Sequence, residues 1–294
     1  MKEPRVYVVI PNWERPDDTV ACIRSVEADG YSNLRILVVD NGSTDNSVET
    51  ISAACPEVAM LTLPKNLGFA GGSNAGIDGA LQRAADFVFL LNNDTIIVPG
   101  TITALVRALD GDPTWSIAVP KIRFHDEPAR IWAAGCRWRQ FPPQVKMIGF
   151  GKRDAPRYNF TRELPYATGC ALLVRRSVLE DVGGFDPRFT NYQEDYDFCY
   201  RARQAGHRLL YVPEATILHK VAQSLGEGSL IRWHYLGRNN VLFYRPGERF
   251  SWVTLFSFVA WTIVRETVKG NIATVPAFVQ GVLEGMKTFR GGEE

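Results

Sequence analysis

The chain has 294 residues and nearly balanced charge, 33 Lys and Arg against 32 Asp and Glu, with 46% hydrophobic residues. That length holds one large domain or two, and these ordinary fractions exclude a disordered or fibrous chain. The cancelling charges leave no global field that would favour nucleic acid, so nucleic-acid binding is not expected.

Val6 to Ile10 reads as a first strand, followed by a loop from Pro11 to Pro16. The next helix, which Asp17 or Asp18 can cap, turns Thr19, Cys22, Ile23 and Val26 inward. The apolar run Ile36-Leu37-Val38-Val39 then stops at Asp40 and gives way to Asn41-Gly42-Ser43-Thr44-Asp45. A buried parallel strand delivers an acid to a sheet edge in this way. In open α/β folds ligands sit outside the carboxyl ends of the strands, which places Asp40 where a ligand is read. Ser43, Thr44 or Asp45 can cap the next helix, and Val58 to Leu63 gives a third strand. A glycine-rich turn over Gly68 to Gly76 leads to a helix ending near Arg83. Phe87 to Leu91 is a fourth strand that runs into Asn92-Asn93-Asp94, bringing a second acid to the same edge. Pro99 starts another helix and Ile117 to Val119 a fifth strand, and right-handed crossovers gather these into a mostly parallel sheet.

After Lys121 the pattern breaks into short apolar pieces separated by Pro128, Pro142, Pro143, Pro156 and Pro165, which predicts hairpins and loops. Order returns with a strand at Ala171 to Val174, a helix from Ser177, the Gly183-Gly184 turn, a helix from Glu194 to about Ala205, and a strand through Leu209 to Val212. Trp252 to Val264 is almost uncharged and aromatic-rich but shorter than the ~20 apolar residues of a membrane span. Three fates are open to it: a helix at the membrane interface with Arg245, Arg249, Arg265 and Lys269 around it, a contact in a homodimer, or a packed core helix. Cys22, Cys55, Cys136, Cys170 and Cys199 are scattered and show neither metal spacing nor a disulfide framework. Met1 to Arg5 enters a strand without the apolar segment of a signal peptide, and the expected location is cytoplasmic.

Several side chains carry chemistry. Asp40 can accept the imide N–H of uracil or thymine, although helix capping is the plainer role for Asp40 or Asp45. An ordinary dinucleotide fold would need a glycine fingerprint after its first strand, where this chain has Pro11-Asn12-Trp13-Glu14-Arg15. Hard divalent cations prefer carboxylate oxygen and are shared with substrate phosphates, so Asp94 suits magnesium or manganese; the alternative is a turn capped by Asp94 near Thr95. Three acids in Glu194-Asp195-Tyr196-Asp197 exceed what a helix N-terminus needs. Close like charges push one carboxylate toward a higher pKa, which suits a general base, while Asp197 reads as structural. Arg238 in Leu236-Gly237-Arg238-Asn239-Asn240 can reach a diphosphate or form a surface salt bridge. Gly68, Gly71 and Gly72 allow close backbone approach to a nucleotide or tight helix–sheet packing. Trp132 and Trp138 can stack on sugars or fill the core, and His207 reads as structural.

The segment around Asp40, Asn66-Leu67-Gly68-Phe69-Ala70-Gly71-Gly72-Ser73-Asn74, Leu91-Asn92-Asn93-Asp94, Gly183-Gly184-Phe185-Asp186 and Glu194-Asp195-Tyr196-Asp197 stand in a fixed order. That order resembles the inverting family-two glycosyltransferases, and among them the bacterial rhamnosyltransferases, from about Arg5 to about Arg245. The resemblance implies an α/β fold of GT-A type, with a Rossmann-like mostly parallel sheet flanked by helices. It implies a glycosyltransferase domain over 1–245, its nucleotide-sugar half over about 1–120 and its acceptor half over about 121–245, and a C-terminal helical extension over 246–294. Pro11, Asn12, Asp40, Asn41, Gly68, Gly71, Asn74, Asn92, Asn93, Asp94 and Arg238 are then expected around the donor, with Asp40 reading the base. Asp94 and His219 are expected to hold Mg2+ or Mn2+. Asp195 takes the proton from the acceptor hydroxyl, and Glu194 organises the acceptor side. Asn92 departs from the family's Asp-x-Asp element, leaves one charge fewer, and ties metal binding to the donor. The implied activity moves a sugar from a nucleoside-diphosphate sugar, with a lean to dTDP-rhamnose, to a glycan or lipid-linked acceptor of a surface polysaccharide. A sugar-phosphate nucleotidyltransferase, which wants a basic glycine-rich loop after the first strand, and a nucleotide-sugar hydrolase are the alternatives.

Overall fold

The computed structural model describes residues 3–221, 229–244 and 249–291; Arg245 and the expected domain boundary beside it lie outside them. Strands and helices alternate through β1 (Val6–Asn12), α1 (Pro16–Glu27), β2 (Leu34–Asp40), α2 (Ser47–Ala54), β3 (Ala59–Thr62), α3 (Gly68–Gln82) and β4 (Phe87–Leu91). Next come β5 (Thr95–Ile97), α4 (Thr101–Asp110) and β6 (Ile117–Phe124). The proline-broken stretch holds the short β7 (Ile131–Ala133), β8 (Cys136–Arg139), β9 (Gln144–Met147) and β10 (Arg162–Leu164), with β8 and β9 forming a hairpin. Then follow β11 (Ala171–Arg175), α5 (Arg176–Val182), α6 (Glu194–Gln204), β12 (Leu209–His219), α7 (Leu230–Tyr244), α8 (Trp252–Val268) and α9 (Thr274–Gly291).

The central sheet runs β10-β12-β6-β11-β4-β1-β2-β3. The strands β3, β2, β1 and β4 are mutually parallel, β12 is parallel to β6, and β11 lies antiparallel between β4 and β6. All five residues of β4 are buried, as both faces of the sheet are covered. One covering core holds residues of α3, α5, α6 and the C-terminal helices, and the other holds residues of α1 and α4. Tyr244, Phe258 and Phe278 are buried in the first, so the C-terminal helices share the core of the sheet domain.

This topology sets up the site. Parallel order puts the ends of β1 and β2, Asn12 and Asp40, and Asn92 just past the end of β4 along one edge. Because β11 runs the other way, its start lies at that edge too, and the Asn92 N–H donates to the Cys170 carbonyl at 2.9 Å. The last residue of β12, His219, is in register with Thr95 of β5 and so stands beside Asp94.

Two local expectations change. Pro16 is the first residue of α1, its fixed φ suiting that position, and Asp18 pairs with Arg15 and Lys220 where a cap was expected. The glycine-rich stretch is not a turn before a helix but the helix itself, starting at Gly68. A Cβ on Gly76 would lie 2.2 Å from Cγ1 of Val9 and one on Gly79 2.9 Å from Cδ2 of Leu37, so this face must be bare for α3 to lie on the sheet.

Candidate active site at the strand tips

At the first tip Asp40 is fully covered. Its Oδ1 accepts from Nδ2 of Asn12 at 3.0 Å and from the Ser43 hydroxyl at 2.6 Å, and its Oδ2 accepts from the Ser43 N–H at 3.1 Å. The carboxylate therefore folds the Asn41–Asp45 loop back on itself, an Asx-type turn. Asn12 continues the network, because its Oδ1 accepts from the Thr19 hydroxyl at 2.7 Å, and Thr19 in turn accepts from Nδ2 of Asn93 at 3.0 Å. An unbroken path of hydrogen bonds thus runs from Asp40 through Asn12 and Thr19 to Asn93, next to Asp94. Sequence reasoning placed Thr19 only on an inward helix face; its partners are 7 and 74 residues away, and no local signal reports them.

At the fourth tip Oδ1 of Asp94 lies 3.1 Å from Nε2 of His219, both side chains buried. The ring of Trp132 meets the His219 ring edge-on at 4.5 Å, so this tryptophan packs the imidazole. Burial opposes a charge on His219, but the Cys170 sulfur and the Asp94 carboxylate outweigh it and push the imidazole up to about 10. Two buried polar atoms here lack a partner, Nδ1 of His219 and Oδ1 of Asn92. Among the described residues no group of three or more His, Cys, Asp or Glu side chains could enclose a metal by itself. The pair fits an ion shared with substrate once the ion displaces the proton between them: magnesium ligands at about 2.1 Å and right angles stand about 3 Å apart, close to the 3.1 Å between Asp94 and His219.

At the opening of α6 the carboxylates are set differently. Oδ2 of Asp195 accepts the N–H of Gly169 at 2.8 Å and Oδ1 that of Tyr196 at 2.8 Å. Burial raises Asp195 to about 6 against the pull of these N–H groups. Burial raises Glu194 further, well above the carboxylate range, with Asp195 and Asp197 adding to the shift. Glu194 is 6% exposed and its Oε2 has no hydrogen-bond partner. Asp197 is structural as expected, paired with Arg201 and Arg249, each at 2.7 Å. Burial thus lifts both neighbouring carboxylates, Glu194 well above the usual carboxylate range and Asp195 to about 6, which suits Asp195 to proton exchange close to neutral pH.

Other expected contacts turn out to be internal. Asn74 donates to the Phe185 carbonyl at 2.7 Å and accepts the Phe185 N–H at 2.8 Å, pinning the Gly183-Gly184 loop to α3. Asn41 binds Leu67 N–H and the Gly68 carbonyl and so starts α3. Gly72 is small because a Cβ there would lie 2.9 Å from Nδ2 of Asn41, Gly71 because Leu67 is 2.5 Å away, and Gly68 has a left-handed φ of 73°. Arg238 takes the salt-bridge alternative, 3.0 Å from Glu284, and also donates to the Arg188 carbonyl. Trp138 stacks on Phe250 at 4.7 Å in the core. Pro11, partly exposed, stays at the rim of the strand tips.

The layout gathers the acids of two strand tips and of the opening of α6 at one sheet edge, an arrangement that fits a transferase. The family model described as glycosyltransferase-like family 2 matches residues 4–234. The chain is 32% identical over 66% of its length to an N-acetylglucosaminyl-diphospho-decaprenol L-rhamnosyltransferase of Mycobacterium tuberculosis, covering 68% of that protein. It is 24% identical over 84% of its length to the rhamnosyltransferase WbbL of Escherichia coli, covering 98% of it. In fold it is similar to the mannosyltransferase PcManGT of Pyrobaculum calidifontis, solved with GDP-Man and Mn2+, with a TM-score of 0.60, 16% identity, and coverage of 97% of this chain and 88% of that one. The chain belongs to glycosyltransferase family 2, shares the GT-A fold, and is similar to bacterial rhamnosyltransferases.

Proposed function

We propose that the protein is an inverting, metal-dependent glycosyltransferase that moves a sugar from a nucleoside-diphosphate donor to a hydroxyl of a lipid-linked or glycan acceptor in surface polysaccharide synthesis. The observation that carries this reading is the placement at one sheet edge of a buried Asp94–His219 couple and of a buried Glu194 beside Asp195, whose two oxygens accept the N–H groups of Gly169 and Tyr196. The rhamnosyltransferase relatives support dTDP-rhamnose as donor.

Asp94 and His219 would hold a divalent ion, which when bound supplies positive charge against the leaving diphosphate. Asn92, with its unpartnered Oδ1, faces the donor from the same turn. Asp40 reads the base through the Asn41–Asp45 loop that it organises. Gly169 and Tyr196 fix both oxygens of Asp195, so the carboxylate is oriented before an acceptor arrives. Asp195 then takes the proton of the acceptor hydroxyl as that oxygen attacks the anomeric carbon from the face opposite the leaving group.

The C-terminal helices suit a lipid-borne acceptor. No helix among the described residues is long and apolar enough to cross a membrane. On α8, however, Val253, Phe256, Val264 and Val268 form an exposed apolar stripe. Nearby, Lys146 of the β8–β9 hairpin is depressed by burial and by Arg139, Arg265 and Lys269, a basic cluster beside that stripe. This face would rest on anionic lipid at the inner surface of the cell membrane. Flotation with phosphatidylglycerol vesicles tests it: binding should fall on Phe256→Ser/Val264→Ser, and equal flotation argues for a homodimer contact instead.

Screening nucleotide sugars by thermal shift with Mn2+ tests the main reading. A donor at 100 times its Kd adds about 2.7 kcal/mol of stability, a clear rise in melting temperature. Release of nucleoside diphosphate only with acceptor supports transfer. Pyrophosphate release would indicate a nucleotidyltransferase, and free sugar without acceptor a hydrolase.

A further inference from the structure

The turn that presents Asp195 has an unfavourable backbone, and a C-terminal helix holds it there. Tyr192 and Gln193 both have left-handed φ, 70° and 74°, a conformation that side chains bearing a Cβ rarely adopt. Gln193 is the residue that precedes Glu194 at the start of α6, so the direction of α6's first turn follows from this pair. Left-handed non-glycine residues persist only where the surroundings over-determine them, and they gather at functional sites.

The restraint comes from consecutive residues of α7. Asn239, with no exposed surface, donates through Nδ2 to the carbonyls of Asn191 at 2.6 Å and Tyr192 at 3.0 Å. Its neighbour Asn240 accepts from Nε2 of Gln193 at 3.3 Å. From the opposite side, Oδ1 of Asn191 accepts the Phe69 N–H of α3 at 3.3 Å. A Cβ on Gly68 would lie 2.5 Å from the Thr190 side chain and carbonyl, so α3 closes directly on this loop. Asn239 alone bonds two successive carbonyls of the strained segment, which fixes the rotation of the peptide between them.

We propose that Asn239 is the positioning residue of the catalytic base, its amide locking the 191–193 turn so that Asp195 meets the N–H groups of Gly169 and Tyr196. The inference rests on the reading of Asp195 as base. It also makes α7 part of the catalytic apparatus: whatever moves α7 moves Asp195.

The test replaces Asn239 by Ala and adds Tyr192→Gly/Gln193→Gly in the same background, since glycine adopts the left-handed turn without help. For Asn239→Ala kcat should fall by on the order of 100-fold, the loss typical of a catalytic group displaced by about 1 Å, while donor affinity is retained. The acidic limb of the pH–rate profile should move, because Asp195 no longer sits on both N–H groups. The glycine pair should restore part of the lost kcat. Should Asn239→Ala not fold, Asn239→Asp, equal in size but without the two N–H donors, takes its place in both arms. An unchanged kcat and pH profile overturns the proposal, and so does a loss that the glycine pair leaves untouched in folded protein. Asp195→Asn is measured alongside: if it is inactive while Asn239→Ala is normal, only the clamp fails, whereas an active Asp195→Asn overturns the base reading and this inference with it.

Discussion

Asp94 and Asp195 stand on the same edge of one sheet, but the regions around them are built by different means. The Asp40–Asp94 side is a polar lattice in which side chains from β1, β2, α1 and the β4 turn bond to one another in sequence. The Glu194–Asp195 side is a tight bed in which burial raises both carboxylates and the main-chain N–H groups of Gly169 and Tyr196 hold Asp195. Under the proposed function the same residue type would serve two ends: an oxygen ligand for a cation shared with the diphosphate on the polar side, and a proton acceptor on the buried side.

The largest expected effect separates the two sides. Asp195→Asn should lower kcat by about 10²- to 10⁴-fold, the range of general-base catalysis, and leave the donor-induced thermal shift in place. A variant that turned over normally would show that the buried side does not carry the base. Next in size, Asp94→Ala should weaken Mn2+-dependent donor binding by at least about 10-fold in calorimetry, as loss of a metal-site group does. Equal affinity with and without Mn2+ in both proteins would remove the cation from the polar side.

The contrast also sets a pH dependence. Asp195 must be ionised to accept a proton and titrates at about 6, so log kcat/KM should fall by about one per pH unit below 6 and level off above it. A profile flat down to pH 5 would place the base elsewhere. The smallest effect belongs to the lattice. Thr19→Val keeps the shape but strands Oδ1 of Asn12 and Nδ2 of Asn93, costing about 1–3 kcal/mol in urea unfolding, with a modest loss of donor affinity.

What could be read from the sequence follows the same division. Apolar runs that end in acids marked Asp40 and Asp94, because a strand buried on both faces must change composition where it leaves the sheet. The acid-rich opening of α6 was equally plain. The role of the glycine segment was not, since Gly68, Gly72 and Gly76 satisfy a nucleotide-cradling turn and a bare helix face alike until Thr190, Asn41 and Val9 are known to lie against them. Asn74 and Arg238 carried the chemistry of ligand contacts, but their partners Phe185 and Glu284 are 111 and 46 positions away. The reversed direction of β11, which brings Gly169 to Asp195, leaves no mark in a uniformly apolar Ala171-Leu172-Leu173-Val174.

The division of labour can be seen directly by locating the cation. Crystals grown with Mn2+ and the nucleoside diphosphate of the donor, measured at the manganese absorption edge, should show an anomalous peak bonded to Asp94 and His219 and shared with the diphosphate. A peak at Glu194 and Asp195, or nucleotide density at the strand tips with no peak beside Asp94, would contradict the account.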